Sequence, residues 1–210
     1  MYIARILYPV RVLGPGDRIG IWFAGCPRRC AGCSNPELWE KRVEYHTTPE
    51  VVIRLVSHMA AERQVDGFTL TGGEPFWQPE ALAVLLPFFS QISRDILIYT
   101  GYVFEEVQSN WPELVGQASA IVDGPYVEER NTGLPLRGSN NQRLILREDW
   151  RKTYEKWMSH VENSGKSLVQ NFTTQDGVIS VGIHRPGYGA DMDRILRQRG
   201  WIAGRKGEPC

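Results

Sequence analysis

Along the chain the apolar positions change period several times, and each change predicts a new element. Residues 2–13 (YIARILYPVRVL) mix β-branched and aromatic side chains with polar ones, the pattern of a strand. Gly14-Pro15-Gly16-Asp17-Arg18 is turn chemistry, and residues 19–24 (IGIWFA) form a second apolar run, so the opening segment predicts two strands joined by a turn. Residues 26–36 hold too much Pro, Gly and Arg for regular structure and predict a loop. Thr47 or Thr48 can cap a helix with Pro49 in its first turn, and Val51, Val52, Leu55, Val56 and Met59 then recur at helical spacing. A short strand at 68–71 runs into Gly72-Gly73-Glu74-Pro75. A second helix starts near Pro79 and is expected to end or break near Pro87, because proline lacks the N–H that helix propagation needs. Residues 95–100 and 119–122 are further short apolar strands, with a helix from about Val103 between them.

Strands that alternate with helices predict parallel βαβ units and an α/β fold. There are too few for an eight-unit barrel, so a partial, open β/α barrel is the expectation. From about residue 150 the pattern changes. A helix over 149–161 precedes a hairpin of 168–173 and 178–183, turning at Gln175-Asp176-Gly177, and a short helix over 191–200. These predict a small C-terminal ββα-like appendage, residues 149–210, on a core of residues 1–148.

Composition narrows the field. Lys+Arg and Asp+Glu both total 24, so formal net charge is zero, and nothing in the balance calls for a nucleic-acid partner. The N-terminus lacks a secretory pattern, and no run approaches the ~18 apolar residues of a membrane span. The expectation is a cytoplasmic protein with reduced thiols and no membrane partner.

Three of the four cysteines, Cys26, Cys30 and Cys33, lie in one short C-x3-C-x2-C loop, while Cys210 ends a polar tail. Thiolates at this spacing can reach one compact metal centre, and cysteine is the usual ligand of iron–sulfur clusters. Three ligands on a four-iron cubane leave one iron open to a small molecule. Two other readings stand beside this one: a Cys3His zinc site completed by His46, and three unconnected buried thiols. The four histidines, at 46, 58, 160 and 184, show no paired spacing. Trp22 and Trp39 flank the loop and could shield it from water.

The segment Cys26-Pro27-Arg28-Arg29-Cys30-Ala31-Gly32-Cys33 resembles the cluster motif of the radical S-adenosylmethionine (SAM) superfamily. Gly32, where most of that superfamily has an aromatic residue, resembles the activating enzymes of anaerobic (class III) ribonucleotide reductase and other glycyl-radical enzyme activases. The runs GPGDR, IGIWFAGC, CAGCSNPELW, TGGEP, IYTGY, VDGPYV and RGSNNQR resemble the same subgroup, in order, over residues 1–148. The resemblance implies the partial barrel of that superfamily and one 4Fe–4S cluster on Cys26, Cys30 and Cys33, with SAM chelating the fourth iron. It places Gly32 and Ser34 near the nucleotide, and Gly72, Gly73 and Glu74 at the methionine amino group. Thr100 and Asp123 would lie near the SAM carboxylate, where a monovalent cation is a candidate third cofactor. Arg137, Ser139 and Asn141 are polar enough to bind SAM or a partner, or to hydrogen-bond within their own loop.

The implied chemistry is reductive cleavage of SAM to a 5′-deoxyadenosyl radical, which takes a hydrogen from a glycine Cα of a large glycyl-radical partner. A flavodoxin- or ferredoxin-like protein would supply the electron. The chain continues about sixty residues past RGSNNQR, further than the simplest activases. A radical SAM enzyme acting directly on a small molecule or peptide is therefore the second reading, and a non-catalytic structural metal module the third.

Overall fold

The sheet is built from strands whose successive residues bury on opposite faces, as the two-residue period of a strand requires. The computed structural model describes residues 1–164, 169–174 and 177–200. In it β1 (Ile3–Val10) and β2 (Arg18–Phe23) pair antiparallel across the glycine-rich turn. β3 (Gly67–Gly72), β4 (Ile96–Tyr99) and β5 (Ala120–Asp123) follow in spatial order, each parallel to its neighbour from β2 onward. β6 (Arg143–Leu146) adds antiparallel to β5, which gives a six-stranded mixed sheet in the order β1 to β6. The expected parallel βαβ core is present as β2–β5.

One face of this sheet is covered by α1 (Pro49–Glu62), α2 (Pro79–Ile92), α3 (Phe104–Asn110) and α4 (Pro112–Val115). There Ile19, Ile21 and Phe23 of β2, Phe68 and Leu70 of β3, and Ile96 and Ile98 of β4 pack with Val52, Leu85 and Phe89. The alternate residues point the other way. Trp22 meets Val181 of a separate hairpin, β7 (Val169–Thr174) and β8 (Gly177–Gly182). Leu97, Ala120 and Val122 meet Tyr154 of α5 (Arg151–Ser164). A last helix, α6 (Tyr188–Gln198), follows the hairpin. The predicted hairpin start at Leu168, its turn residues Gln175 and Asp176, and Cys210 lie outside the described residues.

Two expectations are corrected. α2 does not end at Pro87 but runs on to Ile92. Ala81, Leu82, Leu85, Leu86 and Phe89 bury the helix on both sides of the proline. Pro87 and Ala83, whose carbonyl loses its N–H partner, face solvent. β6 was not anticipated, because its four residues follow directly on a long polar loop.

Residue polarity pins the amino ends of the strands. Arg18 opens β2 and is fully buried, yet all five guanidinium N–H groups have acceptors nearby. Nε donates to Thr69 Oγ1 (2.8 Å), Nη1 to Asp95 Oδ2 (2.5 Å) and Pro15 O (3.1 Å), and Nη2 to Phe68 O (2.5 Å) and Asp95 O (3.1 Å). Asp95 Oδ1 in turn accepts from Ser119 Oγ and Tyr154 Oη, each at 2.7 Å. One ion pair therefore joins β2 to β3, to the starts of β4 and β5, and to α5.

Breaking one partner of such a pair strands a buried charge, so Asp95→Asn should cost about 3–5 kcal/mol. Tyr154→Phe removes a single hydrogen bond and should cost ~1–1.5 kcal/mol. Urea titrations of both variants measure this; equal, sub-kilocalorie losses would show that the pair does not hold the sheet together.

Candidate functional site

With the amino ends locked, the loops at the carboxyl ends of β2–β5 enclose a cavity, the usual ligand position of a parallel α/β sheet. It is lined by Cys26, Arg28, Cys30, Cys33, Ser34 and Asn35 from the loop after β2. Thr71, Gly72, Gly73 and Glu74 follow β3, Tyr99, Thr100 and Gly101 follow β4, and Gly124 and Tyr126 follow β5. Gly138 and Gln142 add a further wall, and the five consecutive residues Ser180–His184 face them from β8 and its exit.

The cysteine loop is held at its base rather than along its length. Gly25 N–H donates to Leu38 O (2.8 Å) and Cys26 N–H to Trp39 O (2.9 Å), so the chain leaving the loop is stitched to the chain entering it. Inside, Cys33 N–H donates to Cys30 O (3.2 Å), and Asn35 N–H points at the Cys33 sulfur (3.4 Å). Burial pushes the Cys33 thiol up, against the Asn35 amide and the Trp39 indole. Burial pushes Cys26 up as well, against the amides of Arg28 and Arg29. Half-buried thiols met by N–H donors suit thiolates bound to metal, where desolvation is offset by the cation.

This donor set fits a 4Fe–4S cluster. Among the described residues no three His, Cys, Asp or Glu side chains converge on a point fit for one metal ion. Thiolates of a cubane need no such convergence, since each bonds a different iron. His46 packs edge-on against Tyr2, with ring centroids 5.3 Å apart, and is not in the cavity wall.

Gly72 and Gly73 answer to backbone, not to open space. Gly73 N–H donates to Phe23 O (2.7 Å) and Glu74 N–H to Gly25 O (2.8 Å), which draws the end of β3 onto the base of the cysteine loop. A Cβ on Gly73 would stand 2.4 Å from the Gly25 carbonyl oxygen, and Gly72 has φ +96°. Gly32 is shaped by a similar constraint: φ is +68° and a Cβ would lie 2.5 Å from the Glu128 carboxyl group. Gly32 itself is outside the cavity wall, next to Cys33.

Glu74 is almost wholly buried. Its Oε1 accepts from Thr100 Oγ1 (2.9 Å) and Phe76 N–H (3.0 Å), and its Oε2 accepts from Gly101 N–H (2.7 Å). Desolvation raises its pKa to about 7, opposed by these donors and by the Arg28 charge. Arg28 itself lies over the Tyr102 ring at 4.5 Å and reaches Glu106 at 3.5 Å, which ties the cysteine loop to α3.

Asp123 stands apart from the rest. The alternation of β5 sends Ala120 and Val122 to the cavity face, and so turns Asp123 to the helical face with Ile121. Its carboxylate accepts Phe104 N–H at the start of α3 (2.7 Å), Arg143 N–H (3.1 Å) and the Arg143 guanidinium. Within RGSNNQR, Ser139 Oγ accepts Val127 N–H and Asn141 donates to Pro125 O, so both serve their own loop. Arg28, Tyr99 and Gln142 lie within the runs CPRRCAGC, IYTGY and RGSNNQR without any role following from the motif, and the Ser180–His184 wall lies outside every motif. Only the pairing of distant segments reveals them.

Comparison with known proteins agrees with this geometry. Residues 12–145 match the family described as the 4Fe–4S single cluster domain. The chain is 33% identical over 157 residues to an anaerobic ribonucleoside-triphosphate reductase-activating protein of Enterobacteria phage T4, covering 72% of this chain and 95% of that one. It is 30% identical over 143 residues to the protein of the same name from Vibrio cholerae, covering 64% and 92%. Over 75 residues it is 35% identical to a pyruvate formate-lyase-activating enzyme of Clostridium pasteurianum, 35% of this chain and 32% of that enzyme.

Gly73→Ala should push the cysteine loop off β3, at a cost of about 1–3 kcal/mol, and lower the iron retained after anaerobic reconstitution. An unchanged melting curve with full iron content would refute this. Because the folded pKa of Glu74 lies above its unfolded value, its contribution is complete below about pH 4.5 and is lost as pH rises through about 7. In the metal-free protein, Glu74→Gln should therefore flatten the fall in stability between those two pH values. Parallel urea titrations of the two proteins across that range would refute it if their difference stayed constant.

Proposed function

The chain belongs to the 4Fe–4S single cluster domain family and to its radical SAM, glycyl-radical-activating branch, and on that premise we propose that it binds SAM in this cavity and installs a glycyl radical on an anaerobic ribonucleotide reductase. The observation that carries the reading is that three loop thiols and the buried Glu74 carboxylate, 41 residues beyond Cys33 in sequence (74 − 33), line one cavity at the carboxyl ends of parallel strands. Cys26, Cys30 and Cys33 would hold the cluster. Cluster and SAM together would supply one-electron reductive cleavage of SAM, with the electron from an external carrier, as the source of hydrogen abstraction from a glycine Cα.

The chain's own residues do the positioning. Glu74 keeps one carboxylate lone-pair region on Oε2 beyond its three donors, enough to accept from an ammonium group such as that of SAM. Thr100 orients that carboxylate, and Gly72 and Gly73 set its distance from the cysteine loop. Ser34 adds a hydroxyl to the same wall. Arg28 places a positive charge in the cavity wall on the α3 side. Asp123 has a different part in this proposal: it fixes the α3 start and Arg143, and its engaged carboxylate leaves no clear seat for a monovalent cation.

The sheet order, open at β1 and β6, supports the partial barrel of the superfamily, with residues 149 onward as an added segment. That segment supplies the Ser180–His184 wall, so a glycine-bearing loop of the partner would pass between it and the cysteine loop. An electron carrier of the flavodoxin or ferredoxin type fits the need for single electrons. No helix among the described residues is long and apolar enough to cross a membrane.

Reconstituted without oxygen with iron and sulfide, then given dithionite and SAM, the protein should release 5′-deoxyadenosine, measured by chromatography. Cys30→Ala should abolish both the cluster and the product. Product formation by the cluster-free variant, or none from a fully loaded wild type even with the reductase present, would end the reading.

A further inference from the structure

Trp39 touches the cysteine loop at both ends. Its carbonyl oxygen accepts the Cys26 amide, as described above, and its indole acts on the Cys33 thiol. The indole Nε1–H is shut off from solvent and makes no regular hydrogen bond among the described residues. A buried N–H without an acceptor is uncommon in folded proteins, and each one calls for an explanation such as an ordered water, an ion or a bound group. The neighbouring group whose ionised form the indole favours is the Cys33 thiol, which already receives Asn35 N–H at 3.4 Å. A neutral thiol is a weak acceptor; a thiolate on iron is a strong one.

We infer that Trp39 is an indole N–H donor to the Cys33 thiolate of the bound cluster, and that with the Asn35 amide it sets the potential at which that cluster takes up its electron. The inference rests on the reading of Cys33 as a cluster ligand and deepens it. Reduction adds one negative charge that spreads onto the sulfurs, so a donor at Cys33 stabilises the reduced state more than the oxidised one and raises the potential. Trp39 in this role is a positioning and tuning residue, not a catalytic one. Its carbonyl bond to Cys26 also makes the placement of the indole depend on the closed base of the loop.

The test compares wild type with Trp39→Phe, which keeps an aromatic ring and loses the N–H, and with Trp39→His, which keeps a ring N–H. Each is reconstituted with iron and sulfide, reduced by one electron with dithionite at fixed ambient potentials, and read by electron paramagnetic resonance without SAM. At equal iron content, Trp39→Phe should show a roughly three- to tenfold lower ratio of reduced to oxidised cluster, because the hydrogen bond is present in both states and only the part of its strength that differs between them moves the ratio. Trp39→His should recover part of it. In wild type labelled with 15N at the indole nitrogens, pulsed measurements on the reduced cluster should show a coupled nitrogen that survives Trp22→Phe.

An unchanged ratio in fully loaded Trp39→Phe would overturn the inference while leaving the cluster assignment intact. If that variant fails to hold iron, the labelled proteins decide, and absence of any indole nitrogen coupling overturns it. A wild type that assembles no cluster would instead overturn the reading on which the inference rests.

Discussion

The buried pair of Arg18 and Asp95 is the constraint from which the rest of the architecture follows. A charge taken fully out of water is tolerable only when every donor is met, and meeting five donors requires groups from several strands at once. β2, β3 and β4 supply those groups directly, and Ser119 brings in β5 through the Asp95 carboxylate. The amino ends of the parallel strands are thereby fixed to one another. At the opposite ends the strands run out into loops whose polar groups line the cavity.

The site uses that division. Close backbone approach at Gly73 and Gly25 carries the rigidity of β3 into the cysteine loop, and the Glu74 carboxylate then spans to β4 through Thr100 and Gly101. The thiols are thus referenced to two strands of the sheet, although they sit on a segment with little regular structure. Such a loop positions ligands well only because its base is closed by the Leu38 and Trp39 carbonyls.

Much of this was legible in the amino-acid sequence. The alternation of elements led to a mixed α/β fold, and the cysteine spacing and the strand–glycine–glycine–glutamate run singled out Cys26, Cys30, Cys33 and Glu74, which line one cavity. What could not be read depended on contacts between distant segments. Asp123 looks like a site residue because it ends a strand, but a single step in a two-residue period sends it to the helical face, and no local signal marks that parity. The glycines of the motif suggested room for a ligand, whereas the atoms they admit are carbonyl oxygens and carboxyl groups of this chain. Pro87 signalled a helix end, and burial of five apolar residues around it outweighed the lost hydrogen bond.

The Ser180–His184 wall lies about 150 positions after the thiols it faces, a separation (184 − 33 = 151) that matters during synthesis. At ~5–20 residues per second, the ribosome delivers the cysteine loop roughly seven to thirty seconds before the strand that faces it. The Tyr154 anchor of the sheet also arrives late. The order of the chain itself thus sets the order in which the cysteine loop and the wall that faces it are made.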